Sequence, residues 1–297
     1  MRGATKATFS IVAADPDARE VGCAVQSKYF AVGTVVPWAR AGVGAVATQA
    51  AGVAAYGPRA LDELAAGSDP ETALARVLAD DEERETRQLG AVAPDGRAAA
   101  FTGADCLEWA GHRTGPGYAV QGNILASEDV AVGMESAFLD SVGMPLAHRL
   151  IAALEAAQAA GGDARGQQSA AIVVERVGAA AESREGIDRV VDLRVDDHPA
   201  PIAELRRLYG IHERWDALRR ATAHHRPGEY ELGAAVLREA LDGLGEDAVV
   251  LYDLACFEAL AGQVHQAAAH LDRALELDPG LRPAAEHDPD LAPLREA

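Results

Sequence analysis

Residues 8–33, TFSIVAADPDAREVGCAVQSKYFAVG, decide how this chain folds. Phe9, Ile11 and Ala13 alternate with Thr8, Ser10 and Val12, the period-two pattern of a strand with two different faces. Asp15-Pro16-Asp17 supplies turn chemistry, and Val21 to Gln26 is a second short run of small and β-branched residues. The stretch reads as a β-hairpin opened by Thr8. If residues 1–7 were removed, the Thr8 hydroxyl would lie beside a free α-amine that titrates at about 7.7 to 8.0. That amine can take the hydroxyl proton, so one residue would supply both nucleophile and base. The plainer alternative is a threonine that opens a strand, where threonine is enriched anyway.

Outward from the hairpin, Ala31 to Val36 and Ala41 to Thr48 read as two more short strands. Pro58 opens a helix that ends at Gly67, and Ser68 with Glu71 forms a capping box for a second helix to about Asp81. Gln88 to Ala93 and Arg97 to Thr102 flank Pro94-Asp95-Gly96 as a hairpin, and Tyr118 to Gln121 adds a strand. Ser127 caps a helix through about Ser141, and Pro145 to Gly161 forms another with Leu146, Leu150 and Leu154 on one face. Ser169 to Glu175 and Ile187 to Val195 close the set. Strand blocks separated by helix pairs, without β-α-β alternation, predict antiparallel sheets with helices on their outer faces. The expected architecture is α+β, a four-layer αββα sandwich. With 5% aromatics and many Ala, Gly and Val residues, two sheets can pack closely face to face.

A boundary is expected at His198-Pro199-Ala200-Pro201, because residues before prolines are pushed out of helical geometry. It divides the chain into 1–200 and an all-α segment, 201–297. In the latter, Gly228 and Gly262, Leu237 and Leu271, and Ala240 and Ala274 are each 34 residues apart, the tetratricopeptide period. Leu251, Leu254, Ala255, Gly262, Ala267, Leu271, Ala274 and Pro279 fit the second copy, whereas the first is degenerate and carries Gly233 where alanine is expected. A generic amphipathic helical hairpin is the alternative. Such repeats imply a protein partner.

The formal net charge of −19 argues against nucleic-acid or anionic-membrane surfaces, which need clustered Lys and Arg. Cys23, Cys106 and Cys256 are far apart and read as buried thiols in a reducing compartment. No secretory leader pattern and no apolar run of about 18 residues is present, so a cytoplasmic location is expected. Nine scattered histidines offer no metal constellation. Neither a phosphate-cradling loop nor a Gly-x-Ser-x-Gly elbow occurs before a helix. No metal or cofactor is expected. Sheet edges and an Ala-rich core make a homodimer the expected assembly.

The remaining chemistry sits at strand ends, where sites are usually built. Ser27-Lys28 follows the second strand, Thr48-Gln49 ends the fourth, and Gln121-Gly122-Asn123 ends a later one. Asp163, Arg165, Gln168 and Ser169 lead into another. Lys28 could stabilise a negative charge or lower a neighbour's pKa, while Gln49, Asn123 and backbone amides near Gly122 could serve as oxyanion donors. Each also fits ordinary turn and cap chemistry.

Several runs in order resemble a bacterial family, domain of unknown function 1028, assigned to the N-terminal nucleophile hydrolase superfamily. They are Thr8 to Ala13, Ser27 to Gly33, Gly44 to Ala50, Tyr56 to Arg59, Trp109 to Arg113, Tyr118 to Leu125, Gly161 to Asp163 and Gln168 to Ala170. The resemblance implies an αββα fold and hydrolysis of a small amide or peptide-like substrate through an N-terminal Thr8. Lys28 would tune the nucleophile, Asp163 and Arg165 would orient the site or grip a charged substrate, and Ser27, Thr48, Gln49, Gln121, Asn123, Gln168 and Ser169 would contact substrate. Relatives often begin with threonine directly after the initiator Met, so residues 1–7 here imply a cleaved segment, a later start, or a site that does not work through Thr8. Ala50-Ala51-Gly52-Val53 also departs from a stretch that is bulkier in relatives. The competing expectation is a catalytically silent domain that assembles with a partner through the repeats.

Overall fold

In the computed structural model, which describes residues 8–182 and 186–296, the alternation of the opening stretch is realised strand by strand. The expected removal of residues 1–7 lies outside the described residues. β1 (Thr8–Asp15) pairs antiparallel with β2 (Glu20–Ser27), and both are almost wholly buried. β3 (Pro37–Arg40) and β4 (Gly44–Ala50) follow, then α1 (Tyr56–Ala65) and α2 (Pro70–Leu78). Next come β5 (Arg87–Val92), β6 (Ala98–Thr102), β7 (Gly111–Gly115) and β8 (Tyr118–Asn123). α3 (Asp129–Asp140), α4 (Leu146–Ala159), β9 (Ser169–Arg176), α5 (Ala179–Glu182) and β10 (Arg189–Val195) complete this part. Every strand pair is antiparallel, in a six-stranded sheet of order β10-β9-β2-β1-β8-β7 and a four-stranded sheet of order β3-β4-β5-β6.

The two faces of β1 do different work. Phe9 and Ile11 are fully buried, and α4 packs across β1 and β2. At about 1.5–3 kcal/mol for each large side chain removed from water, this face is a main source of stability. Val12 and Ala14 point the other way, into a core shared with Val21, Cys23 and Val25 of β2, Ala45 and Ala47 of β4 and Val92 of β5. On the far side of the four-stranded sheet, Ala60, Leu61 and Leu64 of α1 and Ala73, Leu74 and Val77 of α2 cover Val46, Leu89 and Ala91. Helix pair, sheet, sheet and helix pair therefore stack in that order.

Several local expectations are corrected. Residues 31–36 are a turn containing a 3-10 segment, Val32–Thr34, because Ala31 adopts a left-handed φ of 52° and the Val32 amide donates to the Ser169 hydroxyl. The residue capping α2 is Asp69, whose carboxylate accepts from the Thr72 amide at 2.8 Å with Pro70 at the first helical position. Ser68 instead bonds Glu63. β7 was not expected, since His112, Arg113 and Thr114 carry no apolar alternation. Cys106 is only partly buried, unlike Cys23 and Cys256.

The chain divides into two compact units, the first ending at Arg206 and the second starting at Arg207, inside α6 (Pro201–Thr222). The second unit is helical: α7 (Tyr230–Leu244), α8 (Ala248–Leu260), α9 (Val264–Leu277), α10 (Arg282–His287) and α11 (Ala292–Arg295). Gly228 and Gly262 both turn with positive φ, 88° and 81°, at equivalent points of successive helix pairs. Gly233 has a packing reason: a Cβ there would come within 2.3 Å of the Phe257 ring. Glu258, fully buried on α8, accepts from Arg238 of α7 at 2.9 Å and lies 2.7 Å from His270 of α9. Among the described residues, no helix is long and apolar enough to cross a membrane.

Candidate functional site

Antiparallel register lines up four polar residues on neighbouring strands. Ser169 of β9 is opposite Ser27 of β2, Ser27 is opposite Thr8 of β1, and Thr8 is opposite Asn123 of β8. Partners across a sheet share a face, and this face is turned towards the four-stranded sheet. One step further in, Ser10 and Gln121 are also opposite each other. From the facing sheet come Gln49 of β4 and Gln88 of β5, themselves register partners, with Thr102 of β6 opposite Gln88. Apart from Thr102, all these side chains are fully buried. Burial on this scale requires that their polar groups find partners.

All but Gln121 Oε1 and Asn123 Oδ1 do, in an order set by the main chain. Gln88 Nε2 donates to the carbonyls of Gly122 at 2.7 Å and Gly111 at 3.0 Å, and Gln49 Nε2 donates to those of Thr8 at 3.2 Å and Gln121 at 3.3 Å. A carbonyl only accepts, so both carboxamides have one orientation. Gln88 Oε1 then accepts from Gln49 Nε2 at 2.8 Å and from Asn123 Nδ2 at 3.0 Å. Gln49 Oε1 accepts the Ser10 hydroxyl at 2.6 Å, and Ser10 Oγ accepts Gln121 Nε2 at 2.6 Å. Ser10 has spent its proton and is not a free nucleophile. Asn123 gives one of its two N–H hydrogens to Gln88, and its Oδ1 is buried with no partner. The Oδ1 is thus an acceptor open to a hydrogen bond, and the second N–H hydrogen is compatible with the oxyanion-donor role expected from the sequence.

Thr8 Oγ1 donates to Ser27 Oγ at 3.1 Å. Ser169 Oγ donates to the Tyr29 carbonyl at 2.5 Å and accepts from the Val32 amide at 3.0 Å, so it anchors the turn after β2. Ser10, Ser27, Gln49, Gln88, Gln121, Asn123 and Ser169 are hydroxyls and carboxamides, none of which titrates near neutral pH. Cys23 lies deeper on the same face, where burial pushes its thiol far up. Residues just past the site adopt left-handed backbone, Ala50 after Gln49 (φ 64°) and Ile124 after Asn123 (φ 52°). Such strain at non-glycine residues clusters at functional sites.

The other expected residues sit around this core. Asp163 is buried and accepts from the Lys28 amide and the Arg165 amide, each at 2.9 Å, and from Arg165 Nη2 at 3.1 Å. It ties the end of β2 to the loop before β9. Lys28 is exposed and donates from Nζ to the Gln167 carbonyl at 3.0 Å. The Gln168 amide donates to the Ser27 carbonyl at 3.1 Å while its side chain reaches Asp197. Thr48 is not brought to the site: it faces the helix side of β4, where its hydroxyl donates to the Val53 carbonyl at 3.2 Å.

Sequence reasoning missed Gln88, Gly90 and Thr102. The readable signal was a glutamine followed two places later by a glycine on the same strand face. A Cβ on Gly90 would stand 2.1 Å from Gln121 Oε1. Among the described residues, no group of three or more His, Cys, Asp and Glu side chains could hold a metal ion.

The family model of DUF1028, a family of unknown function, matches residues 8–205. This chain belongs to the DUF1028 family. The DUF1028 match begins at Thr8 itself. A crystal structure of a DUF1028 protein from Silicibacter pomeroyi is similar, with 36% sequence identity, a TM-score of 0.62, and coverage of 68% of this chain and 84% of that one. No curated protein matches.

Proposed function

We propose that this DUF1028 protein is an N-terminal nucleophile amidohydrolase acting on a small amide or peptide-like substrate, with Thr8 as nucleophile and base. The observation that carries the reading is the row Ser27, Thr8, Asn123, in which a hydroxyl at the head of a central strand stands beside an unpaired buried acceptor. With residues 1–7 gone, the Thr8 α-amine would take the proton from Oγ1 as the oxygen attacks the carbonyl carbon. The C–N bond would then break, the amine would leave with that proton, and water would hydrolyse the acyl ester on Thr8. Asn123 Oδ1 would hold the substrate N–H, which favours amides over esters. The neutral surroundings support an α-amine as base, because no carboxylate or imidazole belongs to the row.

Lys28 would supply positive charge at the rim. It is one of only two lysines in a chain with 25 arginines, and a compact ammonium serves where a planar guanidinium does not. The helical unit would be a tetratricopeptide-like module that docks a protein partner, supported by the repeated glycine turns.

Complete burial of Thr8 favours a second reading, a silent scaffold in which the polar network only fixes sheet packing. Assays of amide hydrolysis on small acyl-amides and dipeptides separate the two, comparing the full-length chain, a chain starting at Thr8, and the latter with Thr8→Ala. Activity confined to the Thr8 start and lost in Thr8→Ala is expected, at a loss of about 10³-fold or more. Equal activity in full-length protein and Thr8→Ala contradicts the mechanism.

A further inference from the structure

The proton order that orients Gln88 extends past β5. Gln88 Nε2 also donates to Thr102 Oγ1 at 3.0 Å, and Thr102 Oγ1 lies 2.9 Å from Nδ1 of His112 on β7. With the glutamine N–H directed at the threonine oxygen, the arrangement that continues the same proton order sends the threonine hydrogen to Nδ1 and leaves Nδ1 the unprotonated ring nitrogen. We propose that His112, held as the neutral Nε2–H tautomer, is a positioning residue that closes the chain Asn123, Gln88, Thr102, His112 and couples its own protonation to the placement of the Gln88 and Asn123 carboxamides.

The surroundings agree. His112 is opposite Gln121 on β8, so its ring shares the inward face with the polar network. The groups facing it are the neutral Thr102 from β6 and Gln121 from β8, with Gln88 of β5 behind Thr102. Its charged neighbour Arg113 alternates to the opposite face and binds Glu135. His112 keeps an exposed edge, and the partial burial of its ring holds the imidazole below its ordinary pKa. A second proton at Nδ1 would set an N–H against the Thr102 O–H, so the hydroxyl would have to turn. Gln88 Nε2 has two hydrogens and three acceptors, and a Thr102 oxygen that also accepts from Nδ1–H competes less well for them, which shifts the hydrogen bonding towards Gly111 and Gly122. That movement passes through Gln88 Oε1 to Asn123.

The inference concerns the same site as the proposed reaction but needs no turnover. An N-terminus other than Thr8 would defeat that reading and leave this one standing. The test is ¹⁵N NMR of the full-length chain from pH 5 to 8, following the His112 ring nitrogens and the Gln88 and Asn123 side-chain amides. The expected result is a neutral Nε2–H tautomer, with the amide signals moving in step with His112 at a midpoint below about 6.5. Thr102→Ser should keep the coupling. Thr102→Val, or Thr102→Ala if the valine variant does not fold, should leave the amide signals flat while His112 still titrates. An Nδ1–H tautomer, amide signals that ignore His112 in the unaltered chain, or coupling that survives loss of the hydroxyl would overturn the inference.

Discussion

Gln88 is the side chain on which the hydrogen bonds of the site converge. It accepts from Gln49 and Asn123 and donates to Gly111, Gly122 and Thr102. A leucine there fits the volume and leaves several buried donors and acceptors unpaired, each costing about 1–3 kcal/mol. Gln88→Leu is therefore expected to lose about 3 kcal/mol or more in urea unfolding, with an unchanged m-value. A loss under about 1 kcal/mol would mean that the network is not ordered as described. Thr8, Ser27, Gln49, Gln121, Asn123 and Ser169 were legible as strand-end polar residues. Their mutual placement was not, because register between distant strands sets it, and only pairing shows that Thr8 has Ser27 on one side and Asn123 on the other.

Among the elements, α2 and β5 are joined by a clamp at the mouth of the four-stranded sheet. Asp81, just past α2, accepts from Arg87 Nε of β5 at 2.8 Å and from the Tyr56 hydroxyl of α1 at 2.6 Å, while Arg87 also bonds the Ala51 carbonyl. Both members of the ion pair are buried, with side-chain exposures of 10% and 8%. The Arg87 guanidinium holds the Asp81 carboxyl far below the usual carboxylate range. A depressed pKa contributes stability that is complete above the unfolded value of about 3.9 and is lost as pH falls further. Asp81→Asn should cost about 3 kcal/mol at neutral pH. It should also flatten the loss of stability below pH 4, as read from denaturant midpoints across pH; an acid limb as steep as that of the unaltered chain would contradict this. The hairpins and helices here were readable from alternation and turn residues. The turn at 31–36 was not, since apolar residues at that spacing fit a strand as well as a buried 3-10 turn, and a left-handed alanine leaves no mark in the sequence.

For the whole molecule, strand blocks between helix pairs were enough to anticipate antiparallel sheets covered by helices, because local pattern and layer packing point the same way. The sheet order was beyond reach. β9 and β10 come last in the first unit yet pair beside β2, and β7 lacks the apolar alternation that marks a strand. The helical character of the second unit was legible from its apolar spacing, which buries Leu237 beside Phe257. The central claim concerns where the working chain begins. An internal threonine has no α-amine, and the row around Thr8 offers no other base. Intact-mass spectrometry of the purified, active protein, with sequencing of its first residues, tests this most directly. The account predicts a mature chain that starts at Thr8; hydrolytic activity in a protein whose first residue is Met1 or Arg2 would contradict it.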